Sequence, residues 1–506
     1  MTHTALPTRA RAFVRGLLHG GSAGQAGTAK GRDIASNVAV QVAARLTTMG
    51  LSIVTVSLTA RTLSPTGYGV WNGASSYTAL FAILTDLGFT IAATQRMAAE
   101  PEQEADWLGA LVIVRTTISL LAMVACAISI PLFLTSADDT HIVAFILTAT
   151  MVTTGPMAVT TVFQSRLRAG LLLSFTVLQG IIWTTVVVAL ANLHASVVAF
   201  ASANAVLVAC VAVFQVHVTR QYAHIAWRRG LQLCRRLMRI ALPLGIASVM
   251  ITIYYQVDSV LLLQLAGPHE SGIYGAAYGF LSPLNFFPAA IMSSFFPVLA
   301  AIYGSDPARA RRLVQICGNS MAVIAFPVLA GTIALSGPII NLIYGPSFER
   351  AAGILPILMI AFVAICFGTM AGFMAPLLDL RWRFALYTTV GAIANVILNL
   401  ALIPPYGAYG SAWATVATEV LTMSLMLVTS LRVLRLRPRL GKIARTVLLA
   451  AAMAGVMTLS APLGLLPAGA IGVLVYAVGL VGLRIIDQDE LRLLLRRPAS
   501  DLAGAR

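Results

Sequence analysis

Apolar runs of about 20 residues recur from residue 34 to residue 484, and nothing else in this 506-residue chain limits its fold as much. Wound as an α-helix at about 1.5 Å per residue, such a run crosses the ~30 Å hydrocarbon core of a bilayer. In lipid the backbone N–H and C=O groups find no outside partner, so each run must close its own hydrogen bonds. Charged residues make up only 10% of the chain, against roughly 25% in soluble domains. The expectation is an all-α polytopic membrane protein with about fourteen transmembrane helices.

The runs fall into blocks. Residues 1–33 form a basic tail, 34–218 hold six runs, and 219–240 form a basic linker. Six more runs fill 241–431. Residues 432–484 hold a second basic linker and a final pair, and 485–506 are a charged tail. A related pattern recurs 203 residues apart: Pro65, Gly69, Val70, Trp71 and Ala74 align with Pro268, Gly272, Ile273, Tyr274 and Ala277. A turn-then-span unit repeated at that distance predicts two related six-helix lobes, an arrangement that can house a site between repeats.

Net charge is +16. In a soluble chain that excess would point to nucleic acid; here its placement points to topology, and no nucleic-acid partner is expected. With the N-terminus in the cytoplasm, 30 of the 34 Lys and Arg lie in cytoplasmic segments. Arg61 and Arg350 alone face outward, and Arg45 and Arg115 fall inside runs. This positive-inside bias predicts an even number of spans and both termini in the cytoplasm, as in a multi-pass plasma (inner) membrane protein.

Chemistry-bearing motifs are absent. No phosphate-binding G-x-x-x-x-G-K-[ST] loop, H-E-x-x-H pair or G-x-S-x-G elbow occurs. The seven histidines are scattered, and the five cysteines form no C-x-x-C pair and read as small apolar packers. Asp138-Asp139 reads as a solvated loop. No metal, no cofactor and no enzymatic activity are expected.

Ionisable groups inside spans are costly and therefore mark function by default. Arg45 lies about eleven residues into the first run, near mid-membrane. Asp86 and Arg115 sit at similar depth in the second and third runs, so they can pair with each other, or Arg45 can be the partner of Asp86. Asp258 follows Tyr254-Tyr255-Gln256, a polar cluster unusual for a lipid-facing surface. Glu419 lies mid-span with few polar neighbours. Guanidinium binds phosphate in a bidentate way, so Arg45, Arg115 and Asp86 are the candidate anion site. Tyr255, Asp258, Asn285 and Glu419 are candidate cavity or ion-coupling groups. Asn319, Asn395 and Asn399 can donate to sugar hydroxyls or to neighbouring helices.

Four stretches carry a family resemblance: LSPTGYGVWNGASSYTALFAILTDLGF at 63–89, DSVLLLQLAGPHESGIYGAAYGFLSPL at 258–284 followed by FFPVLA at 295–300, SGPIINLIYGPSFERAAGILPILMIA at 336–361, and NVILNLALIPPYGAYGSAWATVATEV at 395–420. In order and spacing the chain resembles the polysaccharide (Wzx-type oligosaccharide) flippases of the multidrug/oligosaccharidyl-lipid/polysaccharide exporter superfamily. The resemblance implies two six-helix lobes around a central cavity, an extra C-terminal helix pair and alternating access. It implies a polyprenyl-pyrophosphate-linked oligosaccharide as cargo, contact with membrane lipids, and a polysaccharide polymerase or glycosyltransferase as partner. A lipid II flippase, a drug/cation antiporter and a non-transporting scaffold are the alternatives. Only two arginines lie inside spans, both in the first lobe, a thinner set than the lipid II reading asks for.

Overall fold

The computed structural model describes residues 29–134, 138–166, 169–437, 440–483 and 485. The predicted tails lie largely outside that range, and the side chain of Arg45 lies outside it as well. Among the described residues the chain is helical, without strand. Fourteen helices of eleven residues or more carry it, besides three of four or five residues: α1 (Ala29–Ala82), α2 (Phe89–Ala99), α3 (Glu104–Phe133), α4 (Asp138–Ala149), α5 (Ala169–Asn192), α6 (Val197–Thr219), α7 (Trp227–Leu265), α8 (Gly267–Tyr278), α9 (Phe286–Ile302), α10 (Pro307–Tyr344), α11 (Ala351–Met374), α12 (Arg381–Val433), α13 (Leu440–Ser460) and α14 (Leu465–Gly482).

These helices are not the fourteen predicted spans one for one. Among the described residues eleven stretches are long and apolar enough to cross a membrane, and α9 is a shorter apolar helix. Two of the eleven run for 53 residues, about 80 Å at the helical rise, and each contains a sharp break beside a proline. Ser64 breaks α1 at φ 59°, ψ 173°, because the ring of Pro65 disfavours helical backbone in the residue before it. Gly407 breaks α12 at φ 56°, ψ −131°, just after Pro404 and Pro405. Counting both arms of these two helices, and adding α9, raises eleven to fourteen.

The chain gathers into two compact units. The first takes residues up to Leu63 and Tyr77–Val249; the second takes Ser64–Ser76 and residues from Met250 onward. In the first, Trp107, Leu108, Phe163 and Leu237 are wholly buried or nearly so in one apolar core. Gly109 and Gly230 let α3 and α7 approach backbone to backbone: a Cβ on Gly230 would lie 2.7 Å from the Ala110 nitrogen. In the second, α13 and α14 pack on α10 through Met453, Met457 and Tyr476, whose hydroxyl donates to the Val323 carbonyl at 3.0 Å.

Ser64–Ser76 places the sequence repeat within the second unit, where its two copies meet. A Cβ on Gly69 would overlap the Pro268 carbonyl oxygen and lie 2.8 Å from the Gly272 nitrogen; one on Gly272 would overlap the Pro65 carbonyl oxygen and lie 3.0 Å from the Gly69 nitrogen. The contact is reciprocal, as across a two-fold axis. Gly267 precedes Pro268 at φ 84°, as Ser64 precedes Pro65 at φ 59°, so the aligned turns share the left-handed entry to their helices.

Residues 337–344 are helix, because α10 continues through Pro338 to Tyr344 before a short turn at Pro346–Phe348. The helical path is interrupted between Tyr278 and Phe286, where Pro283 occupies a one-turn helix. One predicted segment comes out differently: most of the basic linker 219–240, from Trp227 on, is the start of α7.

One carboxylate ties three elements of the second unit together. Glu270, in the first turn of α8, accepts from Arg350 Nη1 at 2.5 Å and from the Ala408 N–H at 2.9 Å, beside the break in α12. Glu270→Ala leaves that N–H and the guanidinium without their acceptor. Bonds to charged groups contribute about 1.5–3 kcal/mol, and the exposed arginine places this pair toward the low end. The expected loss is about 1–2 kcal/mol, read as a lowered thermal midpoint in detergent.

Candidate functional site

Each unit contains a polar site among its described residues. In the first, the helical run that begins after Ser64 is interrupted. A short 3₁₀ turn at Ile83–Thr85 leads to Asp86, then Leu87 and Gly88 take φ 35° and 75°, and α2 restarts at Phe89. A leucine in the left-handed region is strained, and such strain collects at functional positions. The break is held from below by α7: a Cβ on Gly245 would stand 2.5 Å from the Leu87 carbonyl oxygen.

Asp86 caps the restarted helix. Its Oδ1 accepts from the Thr90 N–H at 3.0 Å and from the Thr90 hydroxyl at 2.7 Å. Arg115, on α3, donates from Nε to the Thr85 carbonyl (3.2 Å) and from Nη1 to the Thr90 hydroxyl (3.0 Å), and reaches Asp86 Oδ1 at 4.0 Å. Of the two predicted geometries, the structure shows the Asp86–Arg115 pair. Arg115 is therefore committed to carbonyl, hydroxyl and carboxylate partners of the break, and only 15% of its side chain is exposed, against 40% for Asp86. Thr90 is the member of this group that the sequence reading missed.

The second site is a buried polar core where α7, α8 and both arms of α12 meet. Asp258 is 3% exposed. Its Oδ2 accepts from the hydroxyls of Thr415 (2.7 Å) and Tyr274 (3.0 Å), and its Oδ1 from Asn399 Nδ2 (2.8 Å). Three donors on one carboxylate are what an ionised group needs inside a protein. Asn395 donates to Thr418 at 3.5 Å, and Asn399 also donates to the Asn395 carbonyl at 2.9 Å. Asn395 and Asn399 thus serve as interhelical donors.

Unspent oxygens lie on both arms of α12. Asn395 Oδ1, Asn399 Oδ1, Ser411 Oγ and Glu419 Oε2 are buried with no hydrogen-bond partner. Buried acceptors left bare are rare and costly. Among the described residues no three His, Cys, Asp or Glu converge, so the donors are amide and hydroxyl oxygens around an acid. Hard cations take all-oxygen ligation, and a carboxylate can take a proton, so this core can hold either.

Glu419 was expected to have few polar neighbours; instead Thr415, Thr418 and Thr422 share its helix face, and all three are buried. Tyr254, one turn before Asp258, is buried beside Glu419 and packs edge-on against Tyr255. Tyr255 itself is 36% exposed, and Asn285 sits at the bend before α9 with a bare Oδ1. Neither hydrogen-bonds to Asp258. Tyr274 and Thr415 were missed as ligands of Asp258. A signal for Thr415 was in the sequence: Ser411, Thr415, Thr418, Glu419 and Thr422 form one helical stripe.

Residues 34–303, more than half of the chain, match the family model described as "Polysaccharide biosynthesis protein". A curated relative, the "Probable flippase AglR" of Haloferax volcanii, is 30% identical over 172 residues, 33% of this chain and 36% of the relative, so the match spans about a third of that protein's length. The fold is similar to "Lipid II flippase MurJ, inward closed conformation", with TM-score 0.72 and 14% identity over 88% of this chain and 99% of that one. It is also similar to an inward-facing multidrug resistance MATE family transporter of the MOP superfamily, with TM-score 0.59 and 16% identity over 77% and 95% of the two chains. The helices, the internal repeat and the family match agree: this chain belongs to the polysaccharide biosynthesis protein family and has the fold of a MOP-superfamily transporter.

Proposed function

We propose that the protein is a flippase that moves a polyprenyl-pyrophosphate-linked oligosaccharide from the cytoplasmic to the outer leaflet by alternating access, coupled to a cation or proton held at Asp258. The observation that carries transport over a scaffold role is Asp258 itself: a buried carboxylate with three donors on a membrane-spanning helix, packed against a helix that carries further unspent oxygens. Packing alone gives no reason to keep such a group in a membrane. The family match supports the polysaccharide side of the reading.

The anion site is assigned to Arg45, with the Asp86–Arg115 pair fixing the helix break in the same unit. Because Arg115 is already held by Thr85, Thr90 and Asp86, it positions; Arg45 binds the pyrophosphate. With the inside negative, outward passage of each negative charge is favoured by about 2.3 kcal/mol per 100 mV if it crosses the whole field. A polymerase or glycosyltransferase at the outer or inner face would use or supply the cargo.

The test is flipping of a labelled polyprenyl-pyrophosphate oligosaccharide in vesicles containing the full chain. Arg45→Ala should fall to the rate of empty vesicles with undiminished protein in the membrane. Wild-type flipping by Arg45→Ala removes Arg45 from the site.

A further inference from the structure

In the first unit, α5 and α6 enclose a groove of about 580 Å³ that neither polar site uses. That volume lies within the ~300–1,000 Å³ of small-ligand sites. Its walls include Phe175, Ile182, Val186, Leu207 and Phe214. Both helices are long and apolar enough to cross a membrane, and Leu173–Asn192 on α5 is the least protein-covered of the eleven stretches, with 11% of its residues buried. The protein leaves this helix to be covered by something apolar.

The groove is not apolar throughout. Gln215 lines it, is 93% buried by its 7% exposure, and makes no hydrogen bond among the described residues. Gln179, on the opposite wall, likewise makes none. One turn beyond Gln215 on the same face, the wholly buried Thr219 hydroxyl is also bare. The Gln215 amide has no side-chain partner among the described residues, so the groove's occupant should bring a hydrogen-bonding group to that level. Gln215 stands four residues, about 6 Å, from the end of α6, at the depth where hydrocarbon gives way to headgroup.

We propose that this groove holds one acyl chain of a membrane phospholipid, with a glycerol-ester carbonyl accepting from the Gln215 amide. A polyprenyl phosphate carries its phosphate directly on the isoprenoid chain and has no carbonyl at this depth, so the chemistry selects the phospholipid. The site is a resident lipid site on the outside of the first unit, independent of the cargo reading.

The experiment uses the full chain in vesicles carrying a phospholipid with a photoactivatable group in its acyl chain, with adducts located by mass spectrometry. A photoactivatable polyprenyl phosphate serves as the second probe. The phospholipid should concentrate its adducts on 175–186 and 203–215, Cys210 included. Gln215→Leu should lower that labelling by about fivefold, the worth of one hydrogen bond. Ala203→Trp, which fills the opposite end, should remove it. Labelling of the exposed Leu448 and Val473 should stay unchanged in both variants and reports that each is folded. Phospholipid adducts spread evenly over all lipid-facing helices, groove labelling indifferent to both variants, or groove labelling by the polyprenyl probe alone would each overturn the proposal.

Discussion

Asp258→Asn should reduce flipping more than tenfold while the protein stays folded and in the membrane. The substitution keeps the shape of the side chain and removes its charge. One of the three donors on Asp258, from Thr415, Tyr274 or Asn399, must then face an N–H₂, at about 1–3 kcal/mol. Relief from burying a charge offsets part of that loss, so stability changes little. Transport changes much, because a neutral amide neither takes up a proton nor balances a cation. Wild-type flipping should respond to sodium concentration or to pH, and the variant should not. Asp258→Ala behaves differently: it leaves three donors unpaired around a void and should lower the amount of folded protein. Asp258→Asn with the wild-type rate and ion dependence would make the core a packing device.

Gly69→Ala and Gly272→Ala should each destabilise the second unit by at least about 3 kcal/mol. Alanine is the better helix former by up to about 1 kcal/mol, which works in the opposite direction. That gain is overwhelmed, because the new methyl at either position would overlap a proline carbonyl of the other repeat. The obstacle is backbone, which cannot rotate aside, so the helices must separate; ordinary overpacking already costs about 1–3 kcal/mol. Both changes break one contact, so the double variant should lose less than the two single losses added. Thermal unfolding in detergent reads all three. Additive losses would mean that the repeats are not held by this reciprocal contact.

Much of this architecture is legible in the chain because lipid removes alternatives: an apolar run of span length must be a helix. The repeat was equally legible, since Pro65 and Gly69 recur as Pro268 and Gly272 at one spacing. That the two copies pack on each other was not, because spacing carries no information about contact. The break at Asp86–Gly88 was hidden for a different reason. Glycine is common inside spans, and only its positive φ, together with that of Leu87, separates a broken helix from a continuous one. Asp258 stood out as an intramembrane acid, whereas its ligands Tyr274, Asn399 and Thr415 come from two other helices that fold against it. Thr415 and Glu419 were half legible: their helical stripe is visible, but which helix it faces is decided by tertiary packing.

The most direct measurement is of lipid extracts and leaflet placement after depletion of the protein from its own cells. A flippase for a lipid-linked oligosaccharide predicts that one polyprenyl-pyrophosphate oligosaccharide accumulates facing the cytoplasm, and that wild-type protein, but not Asp258→Asn, clears it. Lipid-linked sugars unchanged in amount and sidedness, in cells with no second such protein, would contradict that function.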